Sequence, residues 1–401
     1  MDIISVEEAV ELILSYTKEI KETETVGLLD CLGRILAEDM VAEMDNPPFD
    51  RSPIDGYACK AQDLQGASEE NPVHLQVLEE IDAGMYSYTE VQHGEAVRIM
   101  TGAPIPAGCD CCIRQEDTDY GEQQVAIYHQ AKEWENYCYA GEDYKKGKVL
   151  LQAGTKLGFV EAGILAGMGK EKALVYRLPK IALLTSGDEV VEPGRELAPG
   201  KIYNSNLMLM AARFKEFGVN LVQMESVQDD PAAMAESLKE AAKNADLIVT
   251  TGAVSVGKKD IMHESLEMIQ AQRVFWKVKA KPGMPTLFSV YQNVPILSLS
   301  GNPFGVAVMM EMMVRPTLQK MKQDPTLALK RVSGAMAEPF RKPSKGRRLA
   351  RAIWRDGKFY FSEGLHSNGV LSSMRGCNCL LDIPRGGSPL EVGDKAEAIL
   401  L

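Results

Sequence analysis

The spacing of apolar residues changes several times along the chain. In residues 5–22, Val6, Ala9, Val10, Ile13 and Leu14 recur every three or four positions, which predicts a helix with one apolar face. Ser5 and Glu8 form a capping box at its start. A second apolar stretch covers 26–40. From 43 to 145 the runs become short and alternating (VHLQVLEEI, EAVRIM, CCIRQED, QVAIYH) and are divided by Gly, Pro and Asp, which predicts a β-rich lobe. Residues 146–176 are Gly-rich around a helix-like FVEAGILAGMG, which predicts a return to the region built by the N-terminal helices.

From 179 onward strand and helix patterns alternate. Ile181-Ala-Leu-Leu184 is a short apolar run, Asn206 to Phe217 has a helical period ended by Gly218, and Leu221 and Val222 open another strand. Asp230-Pro231 supplies the N-cap and first residue of the helix AAMAESLKEAAK. LIVTT, a Gly-bounded loop, the helix DIMHESLEMIQ, another strand and the helix after Pro303 complete the series. Such alternation predicts a parallel, doubly wound sheet whose ligand crevice lies beyond the carboxyl ends of its strands. Past 325 the runs RRLARAIW, KFYFSEG and EAILL, with Gly-Gly and Pro turns, predict a small C-terminal β domain.

Length and composition narrow the function. The 401 residues suffice for two to four domains, and 45% hydrophobic with 25% charged residues is ordinary globular composition. A net charge of -12 argues against a nucleic-acid coat protein. No export signal or stretch long enough to span a bilayer is apparent, so the expected location is cytoplasmic. Cys109-Asp-Cys-Cys112 has no second ligand pair, and the 8 cysteines are expected to be reduced packing residues. The 5 histidines have no partners at i+4, so zinc-helix chemistry is not expected.

The candidate chemistry lies in the loops. Thr185-Ser-Gly-Asp-Glu189, Thr250 to Asp260 and Ser298 to Pro303 each combine Gly and hydroxyl residues where a phosphate-bearing ligand would sit. Their carboxylates need a cation, and Mg2+ bridging Glu189, Asp229 or Asp260 to phosphate oxygens is the simplest reconciliation. Lys277, Lys279 and Lys281 alternate, so an extended strand would project all three from one face. Arg341, Lys342, Lys345, Arg347, Arg348, Arg351 and Arg355 form a basic cluster with no acid among residues 341–355; this asymmetry calls for an anionic ligand or an acidic surface.

In this order, PPFDRSPIDGYA, RIMTGAPIPAG, GED, LLTSGDE, IYNSN, TTGAVSVGKKD, KPG and GNP resemble the MoeA family of molybdopterin molybdenumtransferases and the E domain of gephyrin. The resemblance implies a multidomain α/β plus β fold in an elongated subunit. Its parts would be a helical linker domain (1–42 and 146–177), a β-rich lobe (43–145), a MogA-like molybdopterin-binding α/β domain (178–325) and a C-terminal β-barrel (326–401). It also implies a homodimer with its site at the subunit interface, and leaves room for a MogA-like adenylyltransferase partner.

The implied activity takes adenylated molybdopterin and molybdate, releases AMP and leaves molybdenum on the pterin, assisted by Mg2+. Asp55, Thr101, Asp143, Glu189, Asp260, Lys277 and Lys281 match catalytic positions. Ser186, Gly187, Asn204, Thr251, Gly252, Ser255, Gly257, Pro282, Gly301, Asn302, Pro303 and Arg351 match ligand-binding ones. The chain departs from the family motifs at several points: TTGGVSVG has Ala253, KPGKP has Met284, and LPGNPVS becomes LSGNPFG with Ser300 and Gly305. Cys138 stands where Arg is frequent, and Asn368 where Ser is frequent. A noncatalytic molybdopterin carrier or scaffold, or a paralogue that handles a different anion, is the alternative.

Overall fold

A computed structural model of the chain describes residues 3–254, 261–342, 346–387 and 389–401. Contacts divide it into two units, one of Met1–Thr25, Gly33–Ala37 and Leu174–Leu401 and the other of Val26–Leu32 and Glu38–Ala173.

In the larger unit a six-stranded sheet has the order Asn220–Val227, Lys180–Ser186, Leu247–Thr251, Val294–Leu299, Leu287–Tyr291, Gln272–Trp276. Its middle strands are buried along their length from Ile181 to Ser186 and from Leu247 to Thr251, as expected when helices cover both faces. Alternation assigns the faces: Ile181, Leu183, Leu247 and Val249 pack with Met210 and Phe214 of the helix Ser205–Glu216, while Ala182, Leu184 and Ile248 pack with Met234 and Leu238 of Pro231–Ala242 and with Leu266 of Ile261–Met268. The sheet is doubly wound, but it is not all parallel. Leu287–Tyr291 and Val294–Leu299 form an antiparallel hairpin, so one strand runs against the rest. Its turn residues Gln292 and Asn293 have φ of 49° and 66°, the left-handed pair that a tight hairpin turn requires.

The first helix, Val6–Tyr16, carries the capping box at Ser5 and Glu8 and ends earlier than its periodicity suggested. The Thr17 hydroxyl turns back to the Ile13 carbonyl at 2.8 Å, and Ile20 N–H leaves the helix for the Met321 carbonyl at 2.9 Å. Val6, Ala9 and Ile13 consequently join the core of the α/β sheet. The later helix Phe159–Gly167 belongs to the smaller unit.

Five strands, Arg331–Met336, Arg347–Arg355, Lys358–Tyr360, Cys379–Ile383 and Lys395–Leu400, close into a barrel through the pairing of Arg347–Arg355 with Cys379–Ile383. Closure leaves no free sheet edge and surrounds a core of Met336, Ala352, Phe359, Leu381 and Ala398. The short strand Ala280–Lys281 pairs with Arg347–Arg348 and attaches the α/β rim to the barrel.

The smaller unit holds a five-stranded sheet in the order Cys111–Arg114, Gly56–Cys59, Glu95–Ile99, Val73–Ile81, Gln124–Ile127. Tyr57, Cys59, Cys111 and Ile113 face one apolar core, and Ala58, Val97, Ile99 and Cys112 face the other. The cysteines are free thiols, six of them buried, in agreement with the packing role. No helix among the described residues is long and apolar enough to cross a membrane.

Candidate functional site

Sheet register places the candidate residues of the larger unit along one rim. Leu184, Thr250, Ser298, Leu287 and Trp276 are successive partners across the sheet, so the chain leaves the strands just beyond this row at Gly187, Gly252, Ser300 and Lys277. Gly252 has φ +92°, and a Cβ there would lie 2.3 Å from the Ser186 carbonyl oxygen. On Gly301 a Cβ would approach the Gly252 Cα to 3.6 Å. At Gly252 only glycine permits the backbone to come this close, whereas the Gly301 approach is ordinary van der Waals contact. The adjacent Ala253 has φ 51°, where an L-residue pays roughly 1–2 kcal/mol, a physical reason for the glycine in the family motif.

Polar side chains fix the rim. Asn204 caps the helix Ser205–Glu216 by accepting from Leu207 N–H, and its amide donates to Thr185 Oγ1 and Ser226 Oγ, both at 2.8 Å. Asn206 donates to the Gly301 carbonyl at 2.7 Å, and the Thr251 hydroxyl to the Ser300 carbonyl at 3.0 Å. The Ser186 hydroxyl is buried without a hydrogen-bond partner among the described residues.

Asp188 and Asp229 meet at one end of the rim, the backbone N–H of each donating to the carboxylate of the other at 3.2 Å. Oδ1 of Asp229 is buried and has no hydrogen-bond partner among the described residues. Two facing carboxylates with such an oxygen fit a hard divalent cation. Glu189 folds back over Gly187, its Oε2 lying 2.8 Å from where a Cβ would be. Among the described residues no three His, Cys, Asp or Glu side chains gather as one ligand set. Ser255, Gly257 and Asp260 lie outside the described residues.

The lysines do not form a one-faced ladder. The strand ends at Trp276, and Lys277 adopts φ 72° with its ammonium 3.9 Å from the centre of the Trp276 ring, while Lys281 belongs to the separate short strand. The left-handed backbone at Lys277 itself breaks the alternation on which the ladder depended. Lys281 instead lines a cavity of about 560 Å3 with Lys279, Pro282, Met284, Ser300, Asn302, Asn368 and Arg385. Pro303 begins the helix Pro303–Met309 at the edge of that cavity.

Arg351 is buried at 2% exposure. Its guanidinium donates to the Val370 carbonyl at 2.5 Å, to the Ser367 carbonyl at 2.8 Å and to the Ser373 hydroxyl, and lies 3.7 Å over the Phe304 ring. These acceptors are neutral, and burial lowers the arginine's pKa. With Lys281, Lys342, Arg348, His366 and Asn368 it surrounds a second, small cavity of about 30 Å3. Part of the basic cluster is answered within the chain: Arg347 pairs with Asp382 at 2.8 Å and with Glu7, and Arg341 approaches Glu391 at 3.9 Å. Lys345 lies outside the described residues.

Within the smaller unit, Asp55 accepts from both the hydroxyl and the N–H of Thr101 at 2.7 Å, and these bonds hold its carboxyl below the usual range. Asp143 accepts from the Asn46 amide at 2.9 Å. Cys138 exchanges backbone hydrogen bonds with Arg51. Sequence reasoning did not single out Asp188, Asn206 or Ser226. Asp188 lay inside the quoted TSGDE motif, but its pairing with Asp229 depends on two strands being neighbours.

Three family models match the chain: the MoeA N-terminal region (domain I and II) over residues 4–169, a probable molybdopterin binding domain over 182–320, and the MoeA C-terminal region (domain IV) over 333–401. Proteins named molybdopterin molybdenumtransferase from Staphylococcus epidermidis and Bacillus subtilis are each 34% identical, with 99% of this chain and 95% and 94% of theirs covered. Two solved structures of the molybdopterin biosynthesis MoeA protein of Pyrococcus horikoshii superimpose with TM-scores of 0.85 and 0.81, at 28% identity over 100% of this chain and 99% and 100% of those chains. Motifs, architecture and these matches agree: this chain belongs to the MoeA family of molybdopterin molybdenumtransferases.

Proposed function

We propose that this chain is a transferase of molybdenum cofactor biosynthesis, which inserts molybdate into adenylated molybdopterin and releases AMP. The observation that carries this reading is the glycine-walled rim, continuous through Ser300 and Asn302 with a cavity bearing Lys281. Closely approaching glycine backbone suits a phosphate-bearing ligand, and a buried cation among neutral acceptors suits an oxyanion.

In this account Ser186, Gly187, Asn204, Thr251, Gly252 and Gly301 hold the pterin nucleotide, while Lys281, Pro282, Asn302 and Arg351 hold molybdate. Lys277 stands at the same rim as a further cation toward the phosphates. Asp188 and Asp229 would hold Mg2+, with Glu189 and Asp260 as further candidate ligands. When bound, the ion supplies positive charge that polarises a phosphoryl oxygen. Asp55, Thr101 and Asp143 complete the site from the β lobe of a second subunit, which makes the working form a homodimer, and a MogA-like adenylyltransferase supplies the adenylated substrate. The helical, β-lobe, α/β and barrel segments expected from the sequence are the parts assigned to these roles. A carrier has no use for the Asp188–Asp229 carboxylate pair, one oxygen of which has no hydrogen-bond partner among the described residues, and this favours catalysis.

The test is to mix the purified chain with adenylated molybdopterin, Mg2+ and molybdate, and to follow AMP by chromatography and pterin-bound molybdenum by elemental analysis. Wild-type protein yields both products, and Lys281→Ala loses most of the turnover. Tight pterin binding with neither product would leave the carrier reading.

A further inference from the structure

Two of the departures from the family motif turn out to be one change. The motif LPGNPVS places proline at the position of Ser300 and serine at that of Gly305. A Cβ built on Gly305 would lie 2.7 Å from Ser300 Oγ, 3.7 Å from Gly283 N and 3.8 Å from Asn302 Cβ. A serine hydroxyl at 305, one bond beyond that Cβ, would therefore compete with the Ser300 hydroxyl for the same space. The chain has one hydroxyl there, delivered from the opposite end of the turn, and glycine at 305 leaves room for it.

The surroundings of that hydroxyl suit an anion. Ser300 is 6% exposed and lines the cavity that contains Lys281 and Asn368. Its carbonyl accepts from the Thr251 hydroxyl at 3.0 Å, so the side chain is the part of Ser300 left to meet a ligand along the cavity wall. A hydroxyl on the wall of a cavity that also carries a lysine is a donor available to a ligand oxygen. Residues 301–304 connect the two positions at the start of the helix Pro303–Met309.

We propose that Ser300 is an oxyanion-binding residue of this enzyme, donating its hydroxyl to a tetrahedral oxyanion held by Lys281, and that Gly305 is the compensating change that makes room for it. This rests on the reading of the cavity as the molybdate site. The departure at 305 is then a relocation of the donor within the cavity, and the anion loses no hydrogen bond.

The test is a cycle of titrations with molybdate alone, followed by calorimetry on the full chain, using wild type, Ser300→Ala, Gly305→Ser, the double variant and Lys281→Ala; thermal melting verifies that each is folded. Loss of one charge-assisted hydrogen bond predicts that Ser300→Ala binds about ten- to a hundredfold more weakly. Gly305→Ser is weakened as well, because its side chain displaces the native hydroxyl. The double variant, with a single hydroxyl in the same space, returns to within a few-fold of wild type. Unchanged affinity in Ser300→Ala, or a double variant no better than Ser300→Ala, overturns the proposal when Lys281→Ala still loses binding. If Lys281→Ala binds as wild type does, the cavity is not the molybdate site and both readings fall.

Discussion

Gly252→Ala is the sharpest perturbation of the rim. At φ +92° an alanine pays roughly 1–2 kcal/mol for the left-handed backbone alone. The new Cβ would also lie 2.3 Å from the Ser186 carbonyl oxygen and 2.9 Å from its Oγ. That carbonyl ends a strand buried between two helix layers, so it cannot withdraw freely, and overpacking adds roughly 1–3 kcal/mol. The 252 loop relieves the clash by moving outward, away from Ser186 and Gly301. A displacement of about 1 Å at a reacting site costs on the order of 100-fold in rate. The control is Gly200→Ala, which has φ +80° but nothing within 4 Å of its Cβ, and so pays only the backbone cost. Single-turnover AMP release and urea unfolding are measured for both. The expected result is a loss of stability in both, larger for Gly252→Ala by roughly 1–3 kcal/mol, with a drop of about 100-fold in AMP release for Gly252→Ala alone. Equal activity in the two variants would refute the claim that close approach of these loops builds the site.

Lys277 and Trp276 form a cation–π pair worth about 0.5–1 kcal/mol near the surface, so Trp276→Leu lowers kcat/KM about two- to fivefold, adds nothing to Lys277→Ala, and is rescued by Trp276→Phe; additive losses would contradict positioning of the lysine by the ring. Met284 is 44% exposed on the oxyanion cavity, and Met284→Lys supplies about 1 kcal/mol of screened attraction, which calorimetry detects as molybdate binding about fivefold tighter that weakens with salt. Burial raises the Cys112 pKa to about 12 and raises that of Cys109 as well, so near pH 8 a thiol reagent labels half-exposed Cys138 first, and the six buried cysteines react only after denaturant is added. Because these folded-state values lie above the unfolded thiol value of about 8.5, their contribution to stability is complete below that pH and is lost as pH rises toward 12; unfolding midpoints that do not fall across this alkaline range would contradict the burial assignment.

Much of the fold could be read from local signals. The capping box at Ser5 and Glu8 and the Asp230-Pro231 helix start depend on a few adjacent residues, and both occur as expected. The buried strands showed in continuous apolar runs. The hairpin did not, because its strands are joined by Gln292-Asn293 without the glycine that most often marks such a turn. The lysine ladder failed for a related reason, since the left-handed backbone at Lys277 is not encoded in the alternation of lysines. The glycine loops were recognisable as motifs, whereas the Asp188–Asp229 pair and the exchange between Ser300 and Gly305 depend on which strands are neighbours and where a helix begins. A motif identifies the residue types, and only the packing shows which hydroxyl reaches the cavity.

Coupling of adenylate cleavage to molybdenum insertion at one site shows in a single-turnover reaction with limiting adenylated molybdopterin. With molybdate and Mg2+ present, one AMP is expected for each molybdenum bound to pterin, with loss of both in Lys281→Ala. AMP released without molybdenum transfer, or pterin held with neither event, would contradict it.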